Sequence, residues 1–348
     1  MSRWESPAPP LADWAPLDEL VARHRRFVLT THVNPDGDGL GSEVAMALYL
    51  RGRGKEVAVI NEGAVPHNYA FLAESCPIES FAPEPAAAAV ADAEVLMVLD
   101  TSVPARLGGM AQFLGRPGLA VVVLDHHLGE AGFAALAYVT PQACATGELV
   151  YDFVRRHPEA WTLPLAEALY TALVTDTGSF RFSNTDPAAH AMAAHLLELG
   201  VRPEPLVAVI YQHRHPDRLR FIGEVLRGLS RAAEGSVAWL AVERATMRRF
   251  AVDGADTEGL VDFPRTIPGV EAVALFTEAV DGGVKVSFRS AGTVDVDAVA
   301  RGFGGGGHRA AAGATLPGPL PAARERVLAR LGEAVARARA AAAGAGPA

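Results

Sequence analysis

The stretch Thr31-His32-Val33-Asn34-Pro35-Asp36-Gly37-Asp38-Gly39-Leu40-Gly41-Ser42 decides how the rest of the chain is read. A short apolar strand, Phe27 to Thr31, runs into it, and a helix predicted over Ser42 to Arg51, with Ser42 as N-cap, leaves it. Pro35 disfavours helix at Asn34, so the chain is expected to leave the strand extended. Gly37, Gly39 and Gly41 permit a tight backbone that aims His32, Asp36 and Asp38 into one space. Asp-Gly by itself usually means a turn with solvated carboxylates. One imidazole and two carboxylates compressed between a strand and a helix fit metal ligation better.

The same junction recurs downstream. Glu56 to Ile60 and Val95 to Leu99 read as strands, with a helix predicted over Ala86 to Ala93 between them. A further strand, Leu119 to Leu124, precedes helices over Thr146 to Arg156 and Leu165 to Thr175, separated by Pro158 and Pro164. Short apolar strands alternating with helices predict an α/β fold with a doubly wound parallel sheet. In such sheets ligands bind beyond the carboxyl ends of the strands. Three strands run straight into ionisable residues there: His32, Asp100 of Asp100-Thr101-Ser102, and Asp125-His126-His127.

In isolation Asp100 would cap the next turn, and so would Asp176 in Leu173-Val174-Thr175-Asp176-Thr177-Gly178. A metal pair, however, needs several carboxylates, and one Asp shared by two ions holds them at the spacing used in phosphoryl transfer. Asp125-His126-His127 would be costly to bury without partners, so these residues are expected to be exposed or ligated. Neighbouring side chains on an extended backbone point to opposite sides, so His126 and His127 are not expected to bind the same ion. Seven others (His24, His67, His157, His190, His195, His213 and His215) lack such settings and read as structural. A donor set mixing oxygen and imidazole suits Mn²⁺ better than Mg²⁺ or Ca²⁺.

From Pro187 to Arg220 the chain reads as helices broken by Pro203, Pro205 and Pro216, a connector. Beyond it, Val237 to Val242, Ala272 to Thr277 and Val284 to Phe288 read as strands of a smaller α/β domain, with Asp281-Gly282-Gly283 as a turn. Period-2 alternation puts Val284, Val286 and Phe288 on one face and leaves Arg289 on the other, free to clamp a phosphate. Gly304 to Gly307 lacks side chains, so its N–H groups can approach an anion, with His308 next to it to stack on a base.

Composition narrows the function classes. The 348 residues carry 31 Lys and Arg against 40 Asp and Glu, net −9, the wrong sign for coating long nucleic acid through a general field. With half the residues hydrophobic, a sizeable core can form. No apolar run reaches the roughly 18 residues of a membrane span, and the polar, Pro-rich start is unlike a signal peptide. Cys76 and Cys144, the two cysteines, exclude a disulfide scaffold and a Cys-built zinc site. The expectation is a soluble, cytoplasmic protein with no membrane partner.

Taken together, His32-x-x-x-Asp36-x-Asp38, Asp100-Thr101-Ser102, Asp125-His126-His127 and Thr175-Asp176-Thr177-Gly178 occur in the order seen in the DHH phosphoesterase superfamily, which the chain resembles from about Leu17 to Leu331. Val286-Ser287-Phe288-Arg289-Ser290 and Gly304 to Gly313 resemble the two signatures of the DHH-associated domain. The size and layout are similar to those of the stand-alone nano-RNases that also dephosphorylate 3′-phosphoadenosine 5′-phosphate (PAP). The resemblance implies a DHH domain over 1–186, a helical connector over 187–222, a DHH-associated domain over 223–335 and an Ala-rich tail over 336–348. It implies two Mn²⁺ ions per chain, with Mg²⁺ or Co²⁺ as substitutes. His32 and Asp36 would hold one and Asp38, His126 and Asp176 the other, with Asp100 bridging, Asp125 in support and His127 facing the scissile phosphate. Arg289, Ser290, Gly305, Gly306, Gly307 and His308 would bind substrate, with Arg181 an additional contact, in a cleft between the domains. The implied substrates are short single-stranded RNA or DNA, linear dinucleotides such as pApA, and PAP. A RecJ-like exonuclease, a cyclic-dinucleotide phosphodiesterase and a non-catalytic nucleotide sensor are rival readings, and a homodimer is left open.

Overall fold

A computed structural model describes residues 10–212, 216–252, 254–257, 259–280 and 282–344. The start of the chain before Pro10, His213 and His215, Asp281 of the expected turn and the last four residues of the tail lie outside the described residues. The chain divides into two units, Met1–His213 and Arg214–Ala348, so the division falls inside the stretch read as a connector.

The first unit is built on a six-stranded sheet: β1 (Arg26–Thr30), β2 (Glu56–Asn61), β3 (Glu79–Ser80), β4 (Val95–Leu99), β5 (Ala120–Asp125) and β6 (Leu136–Val139). All neighbours are parallel, in the order β3-β2-β1-β4-β5-β6. The order reverses between β1 and β4, and a crevice forms at such a reversal. The inner strands β1, β4 and β5 are buried on both faces and so nearly all apolar, whereas the edge strand β3 is the exposed pair Glu79-Ser80. Within β4, Val95, Met97 and Leu99 enter one core, while Leu96 and Val98 enter the other.

Helices cover both faces. The first of them are α1 (Ala15–Arg23), α2 (Gly37–Gly52), α3 (Ala70–Ser75), α4 (Pro83–Asp92), α5 (Thr146–Val154) and α6 (Leu163–Asp176). Leu40, Val44, Met46 and Leu50 of α2 share one core with Leu149 of α5 and Leu165, Leu169 and Leu173 of α6, and Val90 of α4 fills the other. The expected doubly wound α/β architecture is therefore present. α1 and β6 were not anticipated from sequence, and α1 is tied down by Asp152 of α5, whose Oδ2 accepts from Trp14 Nε1 at 2.7 Å and Leu11 N at 2.8 Å.

The motif segment differs from expectation in three ways. α2 starts at Gly37 rather than Ser42, because the Asp36 carboxylate caps it, accepting from Asp38 N and Gly39 N, both at 3.1 Å. Asn34 does not continue the strand but turns left-handed, with φ 56°. Gly37, Gly39 and Gly41 are helical residues whose missing Cβ admits neighbours. A Cβ on Gly41 would meet Ala168 O at 2.5 Å and Ala172 N at 3.0 Å, both backbone atoms of α6.

The second unit holds a mixed six-stranded sheet of β7 (Ser230–Ala232), β8 (Val237–Val242), β9 (Ala272–Glu278), β10 (Val284–Ser290), β11 (Gly306–His308) and β12 (Ala311–Leu316), ordered β11-β12-β10-β9-β8-β7. Only β8 and β9 run parallel among its described neighbours. β11 and β12 escaped the sequence reading: Ala and Gly are poor strand formers, and β12 is made a strand by pairing with β10 from Val284↔Leu316 to Arg289↔Ala311, and β11 in turn by pairing with β12. The helix Leu320–Gly344 buries Val327, Leu331 and Val335 against this sheet and runs on through the stretch read as a tail.

Overpacking a core contact typically costs about 1–3 kcal/mol. Gly41→Val is expected at or above the top of that range, because backbone rather than a flexible side chain receives the methyls. Urea unfolding followed by circular dichroism measures this, and a midpoint unchanged from wild type would refute the packing argument.

Candidate metal centre

Three strand ends and three helix ends converge at the reversal point. His32 follows β1, Asp100 follows β4, and Asp125-His126-His127 closes β5. Asp36 and Asp38 stand at the start of α2, Thr146 at the start of α5, and Asp176 at the end of α6. Two triads, His32–Asp36–Asp100 and Asp38–Asp100–His126, each bring one donor atom per residue to within 4.8 Å of the others. Asp100 belongs to both and divides its oxygens between them. Oδ2 lies 3.2 Å from His32 Nε2, and Oδ1 lies 3.6 Å from His126 Nε2.

The imidazoles are held in one tautomer. His32 Nδ1 faces Val33 O at 2.9 Å and His126 Nδ1 faces Ala143 O at 3.2 Å. A carbonyl only accepts, so each Nδ1 carries a proton and each Nε2 is aimed at the carboxylates, where it would offer its lone pair to a bound cation as metal-binding histidines do. His126 Nε2 stands 3.6 Å from an oxygen of each of Asp38, Asp100 and Asp176. That is too long for hydrogen bonds. It matches donors around one cation, since bonds of about 2.0–2.2 Å leave adjacent donors about 3–3.6 Å apart. The residues present therefore fit a pair of divalent ions.

The carboxylates are crowded as well as buried. Burial raises the Asp38 carboxyl well above its ordinary range, and the charges of Asp100, Asp176 and Asp36 add to this. Asp176, with 27% of its side chain exposed, is still pushed up to about 6, first by desolvation and then by Asp100 and Asp36. Burial also opposes ionisation of Asp100, but the His32 hydrogen bond and the charges of His127 and His126 outweigh it and hold Asp100 low. Asp36 is the open side of the site, with 51% of its side chain exposed.

Two residues that sequence reading missed hold this arrangement. Thr146 N donates to Asp38 Oδ2 at 2.7 Å and Gly147 N to Asp38 Oδ1 at 2.9 Å, so the first turn of α5 directs its amides at a buried anion. The Thr146 hydroxyl donates to Asp100 Oδ1 at 2.9 Å. Asn184 Nδ2 donates to Asp176 Oδ2 at 3.1 Å and Cys144 O at 2.7 Å. No motif marks either residue, because neither contact falls at a helix or strand period that sequence alone records. Asp100 itself has φ 64°, strain of the order of 1–3 kcal/mol of the kind that gathers at functional sites.

His127 is set apart from His126. Its Nδ1 donates to Asp125 Oδ1 at 2.8 Å, and its backbone N donates to the same oxygen at 3.0 Å. Burial alone would lower its pKa, yet the Asp125 hydrogen bond and the Asp100 and Asp125 charges raise it to about 9. The two rings nevertheless lie edge to face, 4.6 Å between centroids, rather than on opposite sides. The strand ends at Asp125, so strict alternation no longer applies at the histidines. Arg181 is exposed and folds back, Nε donating to Gly178 O at 2.6 Å.

Within the second unit the burial of β10 alternates as expected, with Val284, Val286, Phe288 and Ser290 inside and Arg289 half-buried. Arg289 Nη1 donates to Phe288 O at 3.0 Å, and its Nε lies 3.9 Å from Asp262 Oδ1. Ser290 Oγ accepts from Gly292 N at 3.0 Å and Val294 N at 3.2 Å. Gly305 and Gly307 have a packing reason to be glycine. A Cβ at Gly305 would meet Gly313 O at 2.0 Å, and one at Gly307 would meet Ala311 O at 2.5 Å. Gly306 stands in more open space, and His308 pairs with Ala311.

The DHH family N-terminal domain matches residues 26–173 and the DHHA1 domain matches residues 236–337. The chain is 34% identical over 315 residues to the bifunctional oligoribonuclease and PAP phosphatase NrnA of Thermus thermophilus, covering 89% of this chain and 90% of that protein. It is 25% identical over 299 residues to the protein of the same description from Bacillus subtilis, covering 85% and 91%. An exopolyphosphatase-related protein from Bacteroides fragilis has the same fold, with a TM-score of 0.84, 25% identity and coverage of 92% of this chain and 95% of that one. With the donors converging at the sheet reversal and both domains matched in order, the chain belongs to the DHH phosphoesterase family, as a DHH–DHHA1 hydrolase of phosphate ester bonds.

Proposed function

We propose that this protein is a manganese-dependent phosphoesterase that cuts short oligonucleotides to mononucleotides and converts PAP to AMP. The observation that carries the reading is Asp100, one oxygen turned to each triad. The two activities in the names of its relatives supply the substrate classes. His32 and Asp36 hold one ion, and Asp38, His126 and Asp176 the other, with Asp100 shared. Two such ions supply Lewis acidity and a bound water ionised near neutral pH; the mixed nitrogen and oxygen donors favour Mn²⁺ over Mg²⁺.

The chain's own residues do the rest. Asp125 keeps His127 protonated at neutral pH, so its Nε2–H is available to a phosphoryl oxygen or to the departing oxygen. Arg289 clamps a substrate phosphate, while Ser290 shapes the loop after it. Amides of Gly305 to Gly307 approach an anion, and His308 stacks on a base. Arg181 is a further substrate contact. Few phosphates and local cations suit an acidic protein to short substrates, single-stranded RNA or DNA and linear dinucleotides among them.

A product time course with a trinucleotide RNA, a short DNA, linear diadenylate and PAP, each with Mn²⁺ or Mg²⁺, tests the substrates. Mononucleotides and AMP are expected with Mn²⁺, and no turnover of any of the four would refute the reading. Asp100→Ala should lower kcat by at least about a thousandfold, and a fully active variant would end the shared-ligand assignment. Arg289→Ala should raise KM by about tenfold with kcat little changed; unaltered kinetics would remove the clamp. Independently of turnover, 1 mM Mn²⁺ should raise the Tm of chelator-stripped protein, since an ion bound only by the folded state stabilises by about 2.7 kcal/mol at a hundred times its Kd. No rise in Tm would leave the site without its ions.

A further inference from the structure

Glu43 is a buried ionisable group to which the reaction gives no task. Glu43 of α2 is 0% exposed, and its Oε2 accepts from Asn61 Nδ2 at 2.6 Å. Its Oε1, also buried, has no hydrogen-bond partner among the described residues. A buried carboxyl oxygen left without a hydrogen bond is destabilising, so its presence calls for a role.

Asn61 is the last residue of β2 and is itself buried. Its Oδ1 accepts from Thr31 N at 3.0 Å, and Thr31 Oγ1 donates to Leu99 O at 2.8 Å. The carboxamide thus continues the sheet's hydrogen bonding one residue past the end of β1, where the β2 backbone no longer serves. The chain of contacts from Glu43 through Asn61 and Thr31 to Leu99 touches the residue before His32 and the residue before Asp100. Those two donors stand 3.2 Å apart in the first triad.

We propose that Glu43 and Asn61 are a positioning pair that sets the His32 end of β1 against the Asp100 end of β4, fixing the first metal-binding triad. This rests on the metal-centre reading above. Glu43 serves as an uncharged hydrogen-bond partner. Burial raises its carboxyl well above the ordinary range, against the pull of the Asn61 hydrogen bond and with the Asp100 charge adding to the rise. A neutral side chain adds no further anion to a site already rich in them. Glutamine has the same length and an acceptor oxygen, so it should substitute.

The test is calorimetric Mn²⁺ titration of the chelator-stripped full chain, with circular dichroism and Tm on the same samples. Wild type should bind two ions. Asn61→Ala and Glu43→Ala should weaken one of the two by about tenfold or more, the scale of lost outer-shell partners, while Glu43→Gln stays within about twofold. If Asn61→Ala folds and binds both ions as wild type does, the pair does not position the triad and the inference is wrong. If Glu43→Gln loses as much as Glu43→Ala, the neutral role is wrong. Should neither alanine variant fold, Thr31→Val decides: weaker binding of one ion supports the proposal and unchanged binding overturns it. Wild type that binds no Mn²⁺ would instead sink the metal-centre reading itself.

Discussion

Mutual repulsion among Asp36, Asp38, Asp100 and Asp176 is the constraint on which the first unit depends. These carboxylates meet in a site where Asp38 and Asp100 have almost no contact with water, and charges at such spacing interact far more strongly there than in solvent. The fold answers with positive partial charge. The α5 amides grip Asp38, the Thr146 hydroxyl grips Asp100, and His32 Nε2 hydrogen-bonds Asp100 Oδ2 at 3.2 Å. These partners orient the anions without neutralising them all. A divalent cation would supply the missing charge, so metal binding and local stability would share one requirement.

The parallel sheet makes this assembly possible. A reversal of strand order between β1 and β4 opens space at their carboxyl ends, and residues leaving adjacent strands there become neighbours. His32 and Asp100 are 68 positions apart in the chain yet 3.2 Å apart in space. The close seating of α2 on α6, allowed by Gly41, brings Asp38 and Asp176 to the same point. His127, hydrogen-bonded through Nδ1 to Asp125 and raised in pKa by it, sits beside this centre.

Much of this was legible in residue order. Val95 to Leu99 reads as a strand and is one, because an unbroken β-branched and aliphatic run suits a strand buried on both sides. The start of α2 was misplaced. Ser42 is a good cap by type, but Asp36 lies nearer the strand and can reach the free amides of the first turn. The glycines were correctly marked as special, for an incomplete reason. Gly41 concerns a helix more than a hundred residues later, and Gly305 and Gly307 make room for β12. β11 and β12 were invisible, since their Ala and Gly become strands only through the edge that β10 offers to β12 and β12 to β11.

By itself the sequence determined the layered α/β class and the ionisable residues placed at strand ends, because hydrophobic period and strand termini are local properties. It also showed that Arg289 alternates away from its core-facing neighbours. Only the tertiary structure decided which oxygen of Asp100 meets which histidine, that Thr146 and Asn184 hold the carboxylates, and that Glu43 and Asn61 brace the strand ends. Those contacts join side chains from separate elements and loops, and no local periodicity records them. They exist because chain packing forces distant polar groups to satisfy one another where water cannot.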